Sequence, residues 1–173
     1  TIIINSTHIK KRKMRLGHIH IKVSDLEKSK EFYKNVFLME IKEEFENKFV
    51  FLSRTEAHHE IALQRLVGGE LPPKNTLGML HIAFEVNTIE SFSDMIERLS
   101  SRGDSFICVN QGVCWSIYFF DPDGMALECY LDRRNKNGGR KQWNGEQEEL
   151  LAETIQRLYI REEKYGDKEI PND

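Results

Sequence analysis

Leu16-Gly17-His18-Ile19-His20-Ile21-Lys22-Val23 decides the fold, because the chain repeats its pattern at Leu77-Gly78-Met79-Leu80-His81-Ile82-Ala83-Phe84-Glu85-Val86. In each stretch a His stands five positions before a Val, and His18 and His81 are 63 positions apart. Polar and apolar residues alternate with period two in the first stretch, the signature of a strand with one apolar face. Ser24 and Asp25 then offer helix caps, and Leu26, Ser29, Phe32, Tyr33 and Val36 recur at helical spacing. After the second stretch Ile89, Phe92, Met95, Ile96 and Leu99 form a similar stripe, which Gly103 ends.

Outward from these two stretches, short strand-like runs are expected at about 39–45, 48–53 and 60–66, and again at about 105–109, 114–120 and 125–131. The turn Asp121-Pro122-Asp123-Gly124 separates the last two. The order β-α-β-β-β therefore occurs twice, and a repeat of this kind governs the whole fold reading. The expected class is α+β: two βαβββ modules forming a cupped mixed β-sheet with helices outside, plus a C-terminal helix. Module one covers 14–67 and module two 77–131, together a domain over 14–131, with Gly68-Gly69 and Pro72-Pro73 marking the linker. Residues 1–13 are an N-terminal tail or an extra edge strand. Residues 132–173 supply a polar loop and a helix carrying Leu150, Leu151, Ile155 and Leu158, with frayed last residues.

Composition limits the function classes. A length of 173 residues suits one compact domain or two small modules sharing a core. Lys and Arg number 25 against 28 Asp and Glu, a net charge of -3, so a general nucleic-acid-binding surface is not expected. No apolar run approaches the roughly 18 residues of a membrane helix, and no signal-peptide pattern opens the chain. Cys108, Cys114 and Cys129 are odd in number and fit no CxxC spacing. They read as free thiols in a reducing, cytoplasmic setting.

Strand alternation assigns faces. Residues 18, 20 and 22 share one side of their strand, and 81, 83 and 85 share one side of theirs. The opposite sides, Ile19, Ile21, Val23 and Ile82, Phe84, Val86, are apolar and suited to burial against helices. In the last strand Ala126, Glu128 and Tyr130 share a face. Two imidazoles and a carboxylate, His18, His81 and Glu128, can thus converge from three strands. Two His and one carboxylate with open positions opposite describe the facial triad of non-haem Fe(II) sites. Taken singly, each of the three also reads as an ordinary polar residue on a strand.

The stretches LGHIHIKVSDLEKSKEFYKNVF, LHIAFEV and IYFFDPDGMALECYLDRR resemble the vicinal oxygen chelate superfamily, which includes glyoxalase I, extradiol dioxygenases and thiol-transferring resistance proteins. The resemblance covers about residues 14–131 and is nearest to small catechol-2,3-dioxygenase-like proteins. It implies a divalent metal, Fe(II) or Mn(II), held by His18, His81 and Glu128. Glyoxalase I-like members supply a fourth ligand at the position that the repeat assigns to Ala62, and Ala cannot ligate. Three ligands leave room for a bidentate substrate and O2, the extradiol arrangement. His58-His59 ahead of Glu60-Ile61-Ala62-Leu63 resembles the extradiol motif whose second His lies near bound oxygen, and Tyr118 matches the Tyr that hydrogen-bonds the substrate hydroxyl.

One departure stands beside these matches. Similar sequences often carry His-Gly where this chain has Gln111-Gly112, and Gln cannot take up a proton near neutral pH. The expected function is a metal-dependent, extradiol-dioxygenase-like oxidoreductase that uses O2 on a catechol-type or other vicinal-oxygen small molecule, with His59 and Tyr118 catalytic. The alternatives are a fosfomycin-type thiol transferase, a glyoxalase-like lyase, or a metal-free binding module such as the bleomycin-sequestering relatives. A homodimer is expected by analogy, with neither nucleic acid nor membrane as a partner. Phe120 and Tyr130 are candidates for the cavity wall, with core packing the plainer reading. Arg133, Arg134, Arg140 and Trp143 either cover the pocket mouth or lie in a solvated loop, and His20 is an outer partner of the ligands or a surface His.

Overall fold

The computed structural model describes residues 15–70, 73, 76–136 and 138–165, with side chains up to 161. The tail 1–13, Pro72 of the linker and the last residues lie outside these. The elements run β1 (Ile19–Val23), α1 (Leu26–Phe37), β2 (Glu40–Phe45), β3 (Phe49–Ser53), β4 (Ile61–Arg65), β5 (Ile82–Val86), α2 (Ile89–Arg102), β6 (Ile107–Asn110), β7 (Cys114–Phe120), β8 (Ala126–Asp132), β9 (Glu148–Glu149) and α3 (Ala152–Tyr165). The β-α-β-β-β order occurs twice, as the repeat predicts. The strands fall into two hydrogen-bonded mixed sheets, a four-stranded one ordered β1-β4-β3-β2 and a five-stranded one ordered β5-β8-β7-β6-β9. In each, the first strand of the module pairs in parallel with the fourth.

Local chemistry starts and stops the helices. Asp25 caps α1 by accepting from the Lys28 N–H at 3.0 Å, and the helix ends where Leu38 turns into the left-handed region at φ 54°. Thr88 caps α2 by accepting from the Ser91 N–H at 3.1 Å. Gly103, at φ 75°, closes α2 in a conformation that costs a residue without a Cβ little. Thr88→Ala should therefore lower stability by about 1 kcal/mol, read as a loss of roughly 2–4 °C in Tm by thermal denaturation. An unchanged Tm would show that the cap contributes nothing to the fold.

Helix α1 joins the two halves. Its Phe32 and Phe37 rings lie 6.4 and 5.9 Å from Phe119 of β7, and Phe37 meets Phe84 of β5 at 4.0 Å. Beside them the fully buried Tyr33 donates its hydroxyl to the Asp121 carboxylate at 3.1 Å. Burial pushes both pKa values upward, which keeps Tyr33 a phenol. The Asp121-Pro122-Asp123-Gly124 turn is thereby locked to module one, since Asp123 also accepts from the Ser24 N–H at 2.9 Å. Helix α1 packs on β3 and β4 and helix α2 on β8, against the apolar faces of the two sheets, and among the described residues no helix packs on the opposite faces.

The C-terminal segment departs from expectation at its start. Leu150 and Leu151 precede the helix, because Glu148–Glu149 adds a ninth strand beside β6 and the Leu150 N–H donates to the Cys108 carbonyl at 3.0 Å. Buried Leu150 and Ile155 then join the common core. Among the described residues no helix is long and apolar enough to cross a membrane.

Candidate active site

Directly paired residues on neighbouring strands project to the same side, so register assigns each side chain to a face. Across the five-stranded sheet one row reads Ile107, Tyr118, Glu128, Ala83. Across the four-stranded sheet the equivalent row reads Glu43, Phe51, Ala62, His20. Ala62 is thus the register counterpart of Glu128, and Phe51 that of Tyr118. The second module carries a carboxylate and a phenol where the first carries a methyl group and a benzene ring.

Around Glu128 the polar groups are in contact. Its Oε2 lies 3.0 Å from His81 Nε2, and the carboxylate is buried, at 7% exposure. The Tyr118 ring packs edge-on to His81 at 5.8 Å. Gln111 donates its Nε2–H to the Tyr118 hydroxyl oxygen at 2.9 Å, and Tyr118 stands directly across the strand pairing from Glu128. Because an amide NH2 can only donate, the phenolic proton points away from Gln111. Burial first, and then Glu128, push the Tyr118 pKa upward, so it stays protonated. Gln111 Oε1 in turn accepts from the Cys114 thiol at 3.3 Å. Gln111 cannot supply a proton, but it orients the phenol.

The C-terminal loop secures this turn. The Arg133 N–H donates to the Val113 carbonyl and the Arg140 N–H to the Gly112 carbonyl, both at 2.9 Å. Gly112 sits at φ 77°, and a Cβ there would come within 2.8 Å of the Arg140 side chain. The arginines suggested for the pocket mouth are engaged elsewhere. Arg133 is 4% exposed, with its guanidinium 4.6 Å above the ring of Trp115, which packs against Phe92 of α2 on the helix side. Arg134 pairs with Asp132, and its guanidinium holds that carboxyl down at about 2. Trp143 donates its indole N–H to the Glu146 carbonyl at 3.0 Å.

Of the other candidates, His18 immediately precedes β1, exposed, with its ring 4.4 Å from that of His59. His59 is half-buried and packs on Phe51 at 5.0 Å. Burial, and after it the neighbouring His18, push its pKa down. The site thus consists of two groups: His81, Glu128, Tyr118 and Gln111 on one sheet, and His18 and His59 on the other. Among the described residues no three His, Cys, Asp or Glu side chains stand close enough together to hold one ion. His20 shares the Phe51 face and meets Phe49 at 6.1 Å. Tyr130 lies in the next row from Tyr118, paired with Ser116, and Phe120 is 62% exposed at the strand end. A cavity of about 770 Å³ opens between Phe37, Met39, Ile82, Phe84 and Met95; its lining includes His18, Ala83 and Glu85 but neither His81 nor Glu128. Sequence reasoning did not connect Cys114 to Gln111 or Glu43 to the histidines, since both links depend on pairing register.

A family model described as glyoxalase/bleomycin resistance protein/dioxygenase superfamily matches residues 15–129. A biphenyl-2,3-diol 1,2-dioxygenase 3 from Rhodococcus globerulus is 32% identical over 122 residues, 68% of this chain and 63% of that protein. The match therefore spans less than two thirds of that relative's length. The crystal structure of a glyoxylase/bleomycin resistance protein/dioxygenase domain from Frankia sp. EAN1pec aligns with a TM-score of 0.62 at 23% identity, covering 70% of this chain and 100% of that one. A genomically encoded fosfomycin resistance protein, FosX, from Listeria monocytogenes aligns with a TM-score of 0.53 at 26% identity, covering 69% of this chain and 94% of that one.

Proposed function

The chain belongs to the glyoxalase/bleomycin resistance protein/dioxygenase superfamily, and from that premise we propose that it is a metal-dependent, extradiol-dioxygenase-like enzyme using O2 on a catechol-type or other vicinal-oxygen small molecule. The observation that carries this reading is the contact of His81 with Glu128, with Tyr118 paired across from Glu128 and packed edge-on to His81. The donor chemistry fits Fe(II) or Mn(II): two imidazoles and one carboxylate, with Ala62 at the position where a fourth ligand would stand. His81, Glu128 and His18 would hold the ion; the structure brings the first two into contact and leaves His18 beside His59, apart from them. When bound, it supplies Lewis acidity that favours the anionic form of a substrate hydroxyl.

The chain's own groups do the rest. Tyr118, a phenol aimed by Gln111, holds a substrate oxygen and fixes the orientation of the ring. His59, whose pKa burial pushes down, favours the neutral imidazole, which accepts a proton at one ring nitrogen and donates from the other. Phe49 and Phe51, half-buried beside the histidines, provide an apolar wall suited to an aromatic ring. The likeness to FosX, a fosfomycin resistance protein, supports a second reading, fosfomycin-type resistance chemistry with or without a thiol, on the same three ligands.

The test is O2 uptake with a panel of catechols after anaerobic Fe(II) loading, alongside fosfomycin consumption with and without a thiol. Catechol-dependent uptake by the wild type is expected. Tyr118→Phe should keep its metal and lose about 10²-fold or more in turnover. Fosfomycin consumption without O2 uptake would replace the first reading with the second, and loss of metal in Tyr118→Phe would overturn the role given to that phenol.

A further inference from the structure

Strand β2 contains an irregularity with a chemical consequence. Its register slips between Ile41 and Glu43, so Glu43 pairs with Phe51 and Glu44 with Val50. Val50 is buried on the helix side, and Glu44 accordingly meets Lys30 of α1 at 3.2 Å. The extra residue turns Glu43 to the opposite, helix-free side, the usual way a bulge re-aims a side chain. There its Oε2 lies 3.0 Å from His58 Nε2, and His58 Nδ1 lies 2.8 Å from His59 Nδ1. The Phe51 ring touches both imidazoles, at 5.6 and 5.0 Å, and supports the chain from one side.

We propose that Glu43 and His58 are positioning residues that fix the tautomer and orientation of His59. The assignment follows from the partners. A carboxylate only accepts, so His58 donates from Nε2, and a neutral His58 therefore presents an unprotonated Nδ1. A contact of 2.8 Å between two ring nitrogens needs one proton, and His59 supplies it from its own Nδ1. His59 is then left with Nε2 as its single free lone pair, on the ring edge away from His58. The same logic orients metal-bound histidines through outer carboxylates. Glu43 and the His58 side chain are both more than half exposed, at 54% and 59%, so the pair adds little to stability and its effect lies in orientation. The inference deepens the dioxygenase reading and rests on it for the part His59 plays in turnover.

Proton–nitrogen correlation spectra of isotopically labelled full-length chain at about pH 8, where unperturbed imidazoles are neutral, read the tautomer directly. They are recorded on the protein as purified and again after loading with Zn(II), a diamagnetic substitute for Fe(II). His59 is expected as the Nδ1–H form, and His58→Phe and Glu43→Leu should each shift it toward Nε2–H. Both variants should keep the wild-type Tm and metal content and lose about tenfold to a hundredfold in kcat with little change in KM. His59 as Nε2–H in the wild type, or a tautomer that neither variant moves, would overturn the relay. The predicted tautomer in a protein with no O2 uptake would support the relay and remove the dioxygenase reading instead.

Discussion

His81→Ala is expected to leave the protein unable to retain Fe(II) or Mn(II), with metal content per chain near zero and catechol-dependent O2 uptake gone. Changing an outer partner of a metal ligand already costs about 10–100-fold in affinity, so removing a ligand itself should cost more. The imidazole Nε2 sits 3.0 Å from the Glu128 carboxylate, so its loss also leaves a buried acid without that neighbour, and some destabilisation is expected. Glu128→Gln separates the two effects. It keeps the shape of the side chain but removes the negative charge that a divalent cation needs. Elemental analysis after anaerobic loading, with Tm measured on the same samples, should show Glu128→Gln folded and poor in metal. Full metal occupancy in both variants would sink the assignment of these two residues as ligands.

The second large effect is structural. Phe119→Ala should cost about 3–5 kcal/mol, a substantial part of the roughly 5–15 kcal/mol that holds a domain together. Phe119 is 1% exposed and lies within ring contact of both Phe32 and Phe37, the α1 residues that tie the four-stranded sheet to the five-stranded one. Truncation opens a cavity at the seam that the surrounding rings can close only in part. A fall in Tm of about 6–20 °C is expected. Phe45→Ala, at a position 49% exposed at the end of β2, should change stability by about 0.5 kcal/mol or less. Similar costs at the two positions would show that the α1 contacts do not hold the modules together.

Much of this was legible in the sequence, because period-two and period-3.6 patterns are local properties of a chain. The repeat of Leu16–Val23 at Leu77–Val86, helices α1 and α2 and the face shared by Glu128 and Tyr130 were read from spacing, and the strand limits agree to within about two residues. The equivalence of Ala62 and Glu128, argued from the repeat, has its structural counterpart in the pairings His20–Ala62 and Ala83–Glu128.

Only the tertiary structure decided what depends on register and closure. Simple alternation puts Ile41 and Glu43 on the same face, but the bulge between them separates the two, and no composition signal marks it. Gln111 looked like the loss of an acid/base group; its amide instead reaches a phenol seven residues on, because β6 and β7 fold back on each other. Arg133 was read as part of a polar loop, yet it lies over Trp115 in the core. Spacing along the chain selects which residues share a side of one strand. Which of them touch across strands is set by pairing register, bulges and loop closure, and these are stabilised by contacts between residues distant in the chain.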